Sequence, residues 1–386
     1  MKKAVMYGAG NIGRGFIGKV FSESGYEVCF IDISPALIDE INRRGEYSVR
    51  IVSGDTSVDE PVRNVRAVSG LTEQAVDEIV TCDAMATAVG VNALPKLAPV
   101  IAKAAIARME RGLKPLDIIL CENQLECDVL MRGWIYEHLN DEQRRWADDN
   151  LGLVEASIGR MVPSLPPELR ALDPLLICVE PYADLPVDRH GFKGEIPQLK
   201  GLIPYAPFSY CIRRKLFIHN GGHAVCAYLG WQKGYKYIWQ AIADPDVYDA
   251  TRAFMLASAQ ALIAEFGESV RADVEANVDD LLARFGNKAL GDTVARVGGD
   301  PARKLRRNDR IIGSALYCLE QGVDPAPIIS VVKAALAFDN EADPTAPKVQ
   351  QALRECGAER VMTEFMGLTT DEPLYSMIAD TVKGGN

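Results

Sequence analysis

Apolar positions in the first third of the chain switch period several times. Lys3 to Tyr7 is a short, mostly apolar run. From Asn11 to Ser24 the apolar residues fall at Ile12, Phe16, Ile17, Val20 and Phe21, the spacing of one helix face. Glu27 to Ile31 is again strand-like, and Pro35 opens a helix through Arg43 at the position proline favours. A strand over Asp83 to Val89, a helix over Ala93 to Arg111 and a strand over Asp117 to Cys121 continue the alternation. Strand–helix–strand repetition predicts a parallel sheet with helices on both faces. The pattern changes after about Asp149. Leu153 to Met161 and Leu175 to Val179 read as extra strands, separated by Pro163-Ser-Leu-Pro-Pro-Glu. A breaker-rich link, His190 to Pro207, leads into helical periods over Arg213–Leu229, Asp246–Phe266, Asn277–Phe285, Asn308–Glu320, Pro325–Ala337 and beyond Thr345. The expected division is therefore 1–195, a doubly wound α/β domain with extra strands, and 196–386, a mostly α-helical domain. No internal repeat is visible.

Composition adds exclusions. With 386 residues, 48% hydrophobic and 25% charged, the chain is ordinary globular material. A net charge of −11 argues against nucleic acid as a partner, because that would want a basic face. Any anionic ligand needs a local cluster of cations working against the global field. The nine cysteines include no Cys-x-x-Cys and lie mostly in apolar stretches, so they read as buried small hydrophobes. No run approaches the ~18 apolar residues of a membrane span, and Met1-Lys2-Lys3 lacks a signal-peptide core after it. The expectation is a cytoplasmic protein with a small-molecule ligand and no membrane partner.

Gly8-Ala9-Gly10-Asn11-Ile12-Gly13 follows a strand and opens a helix, the context a dinucleotide fingerprint requires. The first glycine serves the tight turn and the second lets a pyrophosphate approach. The third lets helix and strand pack closely. Asp32 ends the second strand 19 residues after Gly13, where a carboxylate binds ribose hydroxyls and repels the extra phosphate of NADP. NAD is the expected cofactor, the domain is Rossmann-type, and Val89 and Gly90 at the end of a further strand belong to the same site.

Two segments carry candidate chemistry: Cys121-Glu122-Asn123, at the carboxyl end of the fifth parallel strand, and Arg213-Arg-Lys215-Leu-Phe-Ile-His219-Asn220-Gly-Gly-His223. Ligands of doubly wound sheets bind at the carboxyl edge. On an α-helix, Lys215, His219, His223 and Asn220 fall at about 0°, 40°, 80° and 140°, on one broad side. Gly222 falls about 20° from Lys215, so that side is expected to present no bulk to a ligand. His219 and His223 have the spacing of a metal pair, but only four histidines exist and no ligand cluster accompanies them, so no metal is expected.

Taken together, Gly-Ala-Gly-Asn-Ile-Gly-Arg-Gly-Phe-Ile-Gly at 8–18, Cys-Glu-Asn at 121–123 and Lys215-x4-Asn220-x2-His223 resemble the polyol-specific long-chain dehydrogenases. Arg284-Phe-x-Asn287, Asp292-x3-Arg296-Val-Gly and Pro301-x-Arg303-Lys304-Leu-x4-Arg310 continue the resemblance, which runs from residue 1 to about 340. It implies a metal-independent, NAD-dependent enzyme, monomer or homodimer, with Lys215 as general base. Asn123 and Asn220 would donate to the substrate oxygen, and His223 would hold a neighbouring hydroxyl. Arg296 and Lys304 match substrate-contacting positions. A lysine base working near neutrality needs a pKa of about 7–8 rather than about 10.4. The length and motif wording imply the branch that interconverts mannitol 1-phosphate and fructose 6-phosphate. Arg303, Lys304, Arg306, Arg307 and Arg310, all within 303–310, are then a candidate phosphate clamp, with Arg306 or Arg307 expected to be solvated. The alternatives are an unphosphorylated polyol or sugar acid as substrate, and a non-catalytic NAD-binding sensor. Retention of Lys215, Asn123, Asn220 and His223 together argues against the sensor.

Overall fold

A computed structural model describes residues 1–163, 165 and 167–383; Ser164 and Pro166 of the proline-rich link lie outside the described residues. The chain divides into two compact units, Met1–Cys211 and Ile212–Asn386. Eleven strands are found among the described residues, all in the first unit: β1 Lys2–Tyr7, β2 Tyr26–Asp32, β3 Glu46–Ser53, β4 Thr56–Arg63, β5 Val65–Ser69, β6 Ala84–Thr87, β7 Leu116–Leu120, β8 Leu151–Glu155, β9 Ile177–Val179, β10 Leu185–Asp188 and β11 Leu202–Tyr205.

Six of them form the expected parallel sheet, in the order β5-β2-β1-β6-β7-β8. Numbered within the sheet this is 3-2-1-4-5-6, so the strand order reverses between β1 and β6 and opens a ligand crevice at their carboxyl ends. The sheet is apolar on both faces, as parallel sheets must be. Ala4 and Met6 pack to one side with Phe16, Phe21 and Phe30. Val5 and Tyr7 pack to the other with Ile31, Met85 and Ile101.

The remaining strands depart from the sequence expectation. β3 and β4 form an antiparallel hairpin closed at Ser53 and Thr56 over Gly54-Asp55, and β9 adds to β3 in parallel. The strand expected to reach Met161 stops at Glu155, after which Ala156 bridges to Val187 and the chain leaves the sheet. The link 190–207 holds β11, which pairs with β10, and the first compact unit runs beyond it to Cys211.

The second unit is helical among its described residues. A π turn, Arg214–Asn220, runs straight into the helix Gly221–Gln232. That helix buries Ala224, Val225, Cys226, Ala227 and Tyr228 and packs against the helices Ile238–Ile242, Pro245–Phe266, Val294–Gly298 and Ala326–Leu336. Its first two glycines have a packing role. A Cβ on Gly221 would lie 2.6 Å from the Phe254 ring, and one on Gly222 would lie 2.6 Å from the Met255 sulfur. The open, ligand-facing side expected at Gly222 is thus a helix–helix contact instead. Eight of the nine cysteines are buried and Cys356 is exposed; all are free thiols.

Candidate active site

In the first unit the glycine turn has the shape its sequence demands. Gly8 adopts φ +99°, and a Cβ there would lie 2.4 Å from the Ala88 carbonyl oxygen. A Cβ on Gly13 would lie 1.9 Å from the Gly8 oxygen, while nothing comes within 4 Å of one on Gly10. The first and third glycines serve backbone packing, and the second leaves open space beside the start of the helix at Asn11. That is room for a pyrophosphate at a helix N-terminus. Asp32 closes the turn. Its Oδ2 accepts from Ala9 N at 2.8 Å, and Oδ1 accepts from Ile33 N at 2.8 Å and Ser34 N at 3.0 Å. A carboxylate offers about four acceptor positions, so with three amides bound about one is left for a ribose hydroxyl. The helix that follows is wound as a π turn over Gly13–Gly18 before reverting to α over Lys19–Glu23.

Glu122 was not singled out by the sequence reasoning. It is buried, and its two oxygens accept from Val89 N at 2.7 Å and Gly90 N at 2.9 Å. Burial pushes its carboxyl above the usual range, and the two amides pull the other way. The Val89 and Gly90 amides are therefore tied to a side chain of the chain itself, and only other atoms of this loop are left for a cofactor. Asn123 follows at once, at the carboxyl end of β7, held by the same short segment. The signal was a carboxylate inside an apolar strand end, read only as part of a motif.

In the second unit, Lys215, His219 and Asn220 stand on the π turn and His223 on the first turn of the helix. A π turn bonds i to i+5, so each residue advances less than the 100° of an α-helix, and the angles expected from α geometry are compressed. π turns inside α-helices recur at functional sites. His223 stacks on Phe285, with centroids 4.8 Å apart and planes 10° apart, and His219 lies 6.4 Å from His223. Burial pushes the His223 imidazole down to about 3, helped by the charges of Arg296, Lys304, Arg310 and Arg284. Burial holds His219 well below the usual range too, with Arg284, His223, Lys215 and Arg310 adding to it. Both rings are neutral near pH 7, and they report a concentration of positive charge within an acidic chain.

The candidate clamp residues have different surroundings. Arg310 has a side chain 12% exposed, and its Nε donates to Asp309 Oδ1 at 2.7 Å. Its backbone oxygen lies 3.2 Å from a Cβ on Gly221, which places it over the helix that carries His223. Arg303 is committed to carboxylates, with Nε on Asp300 at 2.7 Å and Nη1 on Asp309 at 3.0 Å. Lys304 is turned inward at 5% exposure, donating to the carbonyls of Val297 at 2.8 Å and of Gly299. Burial, with Arg310 and Arg303 nearby, lowers its pKa to about 7. Arg296 is more than half exposed and pairs with Asp292. Arg306 is exposed, and Arg307 bonds Glu372 at 3.0 Å and the Gly367 carbonyl at 2.8 Å. Arg284, which the clamp expectation did not include, is largely buried and its charge reaches both histidines. Among the described residues no group of three His, Cys, Asp or Glu is gathered as a metal site would need. Nor, among them, is any helix long and apolar enough to cross a membrane.

A six-stranded nucleotide sheet with a glycine turn, followed by a helical unit carrying Lys-x4-Asn-x2-His, defines a two-part dehydrogenase, and the chain belongs to the mannitol dehydrogenase family. Residues 2–201 match the mannitol dehydrogenase Rossmann domain and residues 208–368 the mannitol dehydrogenase C-terminal domain. The chain is 36% identical over 381 residues to a mannitol-1-phosphate 5-dehydrogenase of Brevibacillus brevis, covering 98% of this chain and 97% of that protein. In fold it is similar to a D-sorbitol dehydrogenase crystal structure (TM-score 0.83, 15% identity, 99% of this chain and 92% of that one). It is also similar to Pseudomonas fluorescens mannitol 2-dehydrogenase in ternary complex with NAD and D-mannitol (TM-score 0.71, 15% identity, 99% and 90%).

Proposed function

We propose that this protein is an NAD-dependent, metal-independent polyol-phosphate dehydrogenase that interconverts D-mannitol 1-phosphate and D-fructose 6-phosphate. The observation that carries the phosphate is the group of cations around His223 in a chain of net charge −11, with Arg284, Lys304 and Arg310 largely buried and Arg296 at the exposed edge. The 36% identical relative named for mannitol 1-phosphate supports the same reading. NAD fits the first unit: the open space at Gly10 admits its pyrophosphate, and Asp32 suits its ribose. When bound, it supplies the hydride acceptor.

The chain's own residues do the rest. Lys215 takes the proton of the substrate hydroxyl in the oxidative direction and returns it in the reductive one. Asn220, on the same π turn, donates to that oxygen, which gains negative charge as its proton leaves and passes it on as the carbon–hydrogen bond breaks, the principle of an oxyanion hole; Asn123 is the amide donor the motif assigns in the first unit. His223 stays neutral at working pH and so serves as a hydrogen-bond partner for a neighbouring hydroxyl rather than as a charge. Arg310, held by Asp309 through Nε, offers its remaining nitrogens to phosphate oxygens, and guanidinium forks suit that geometry.

Steady-state reduction of fructose 6-phosphate and of free fructose by wild type and by Arg310→Ala tests the reading. A charge-assisted bond contributes about 1.5–3 kcal/mol. The expected result is a KM for fructose 6-phosphate raised about 10-fold or more, with kcat changed far less and fructose activity unmoved. Arg303→Ala should have a smaller effect, since two carboxylates already hold that side chain. If single alanine substitutions at Arg296, Arg303, Lys304 and Arg310 all leave that KM within about twofold, the phosphate reading is wrong. An unphosphorylated polyol or sugar acid, assayed as fructose and tagaturonate, then takes its place.

A further inference from the structure

Asp292 stands two residues before the helix Val294–Gly298, and its backbone is fixed. Its carbonyl accepts from Ile238 N at 2.9 Å, and Thr293 next to it bridges to Tyr237. The side chain is 14% exposed and faces two candidate substrate residues at once. Oδ2 lies 3.6 Å from His223 Nε2, and Oδ1 pairs with Arg296. The His223 ring is flat against Phe285, which fixes the plane in which its nitrogens point.

A neutral imidazole has one donor and one acceptor nitrogen, and its surroundings choose which is which. An ionised carboxylate only accepts. At 3.6 Å the contact is longer than a hydrogen bond, so it acts through its field. A lone pair on Nε2 would point at negative charge in a poorly solvated setting, where such repulsion is strong. A proton there is attracted instead. We propose that Asp292 is a positioning residue that fixes neutral His223 as the Nε2–H tautomer, leaving Nδ1 to accept a hydrogen bond from a substrate hydroxyl. The same carboxylate anchors Arg296 beside the ring. Without it, the cations around His223 would draw a lone pair toward themselves and leave the tautomer mixed. The substrate end of this inference rests on the proposed function; the tautomer rests on the geometry of Asp292, His223 and Phe285 alone.

The test is ¹⁵N NMR of the full-length protein labelled at histidine, near pH 8. Only His138, His190, His219 and His223 contribute, and His223→Gln assigns the fourth signal pair. Wild type is expected to show His223 protonated at Nε2 alone, a mixed or reversed population in Asp292→Asn, and recovery in Asp292→Glu. In parallel, Asp292→Asn should raise the fructose 6-phosphate KM about 10-fold, the size of one hydrogen bond to a charged group, with a smaller change in kcat. A wild-type His223 protonated at Nδ1, or an unaltered His223 spectrum in Asp292→Asn, overturns the assignment. The wild-type spectrum needs no variant to fold. If it is as expected while the alanine substitutions at Arg296, Arg303, Lys304 and Arg310 all leave the KM unmoved, the phosphate reading fails and the role of Asp292 stands.

Discussion

In the proposed mechanism Lys215 is the side chain on which the chemistry turns, and its replacement separates catalysis from binding. Lys215→Ala should lower turnover by at least about 10²-fold, the low end for loss of a positioned general base. NADH should still bind, as followed by quenching of its fluorescence, because the glycine turn and Asp32 lie in the other unit. Turnover retained in this variant would sink the lysine mechanism. At this scale the sequence was most legible where a residue's role depends on its own neighbours in the chain. Gly13, whose close contact is the Gly8 carbonyl, is of that kind. Glu122 is not, because the amides it holds lie 33 and 32 residues away, on a loop that only the fold brings to it. Arg303 was read as one of a row of candidate clamp cations; Asp300 and Asp309, both within six residues of it, pair with its guanidinium.

Elements were read well where one period ran unbroken. The glycine-turn strand, the helices after it and the central parallel strands all follow from apolar spacing. The hairpin of β3 and β4 was missed although Gly54-Asp55 is a two-residue turn signal. β4 is almost wholly exposed, so its sequence, Thr-Ser-Val-Asp-Glu-Pro-Val-Arg, lacks the alternation that marks a half-buried strand. The helix carrying His223 was placed correctly, but its glycines were explained by the wrong partner. Their cost in helix propensity, roughly 1 kcal/mol each, is offset by close approach to Phe254 and Met255. Gly222→Val should therefore destabilise the protein by at least about 1–3 kcal/mol, the range for overpacking, seen as a lowered midpoint in thermal unfolding. Combining it with Met255→Ala should recover part of the loss. No recovery in the double variant would mean that the two side chains do not compete for the same space.

Across the whole molecule, buried titratable groups set how stability follows pH. Lys304 has a folded pKa of about 7 against 10.5 for an unburied lysine, so the unfolded chain binds the extra proton between those values. Stability should rise with pH across that window. His223, at about 3 against 6.5, gives a rise of the same sign in the acid range. Glu155 opposes it: burial and the neighbouring Asp128 carboxylate raise it to about 7 from 4.5, so its contribution falls as pH rises between those values. His223 and Glu155 counteract each other where their windows overlap, between 4.5 and 6.5. Toward the alkaline end Lys304 is opposed by buried thiols such as Cys82 and Cys226, which burial pushes from 9.0 up to about 12. Subtracting the urea-unfolding free energy of Lys304→Met from that of wild type, at pH 7 to 10, should leave a difference that grows with pH. A flat difference would show that Lys304 keeps its proton in the fold. The small cationic cluster inside a chain of net charge −11 has one more consequence, in the kinetics of encounter. Charge is felt over roughly 30 Å at 0.01 M salt and only about 8 Å at physiological salt. An anionic sugar approaching in dilute buffer meets the repulsion of the whole surface. At physiological salt the proposed phosphorylated sugar is shielded from that surface until it is close enough to feel Arg310 and its neighbours, so on that reading the local cluster, rather than the global charge, governs the rate at which it arrives.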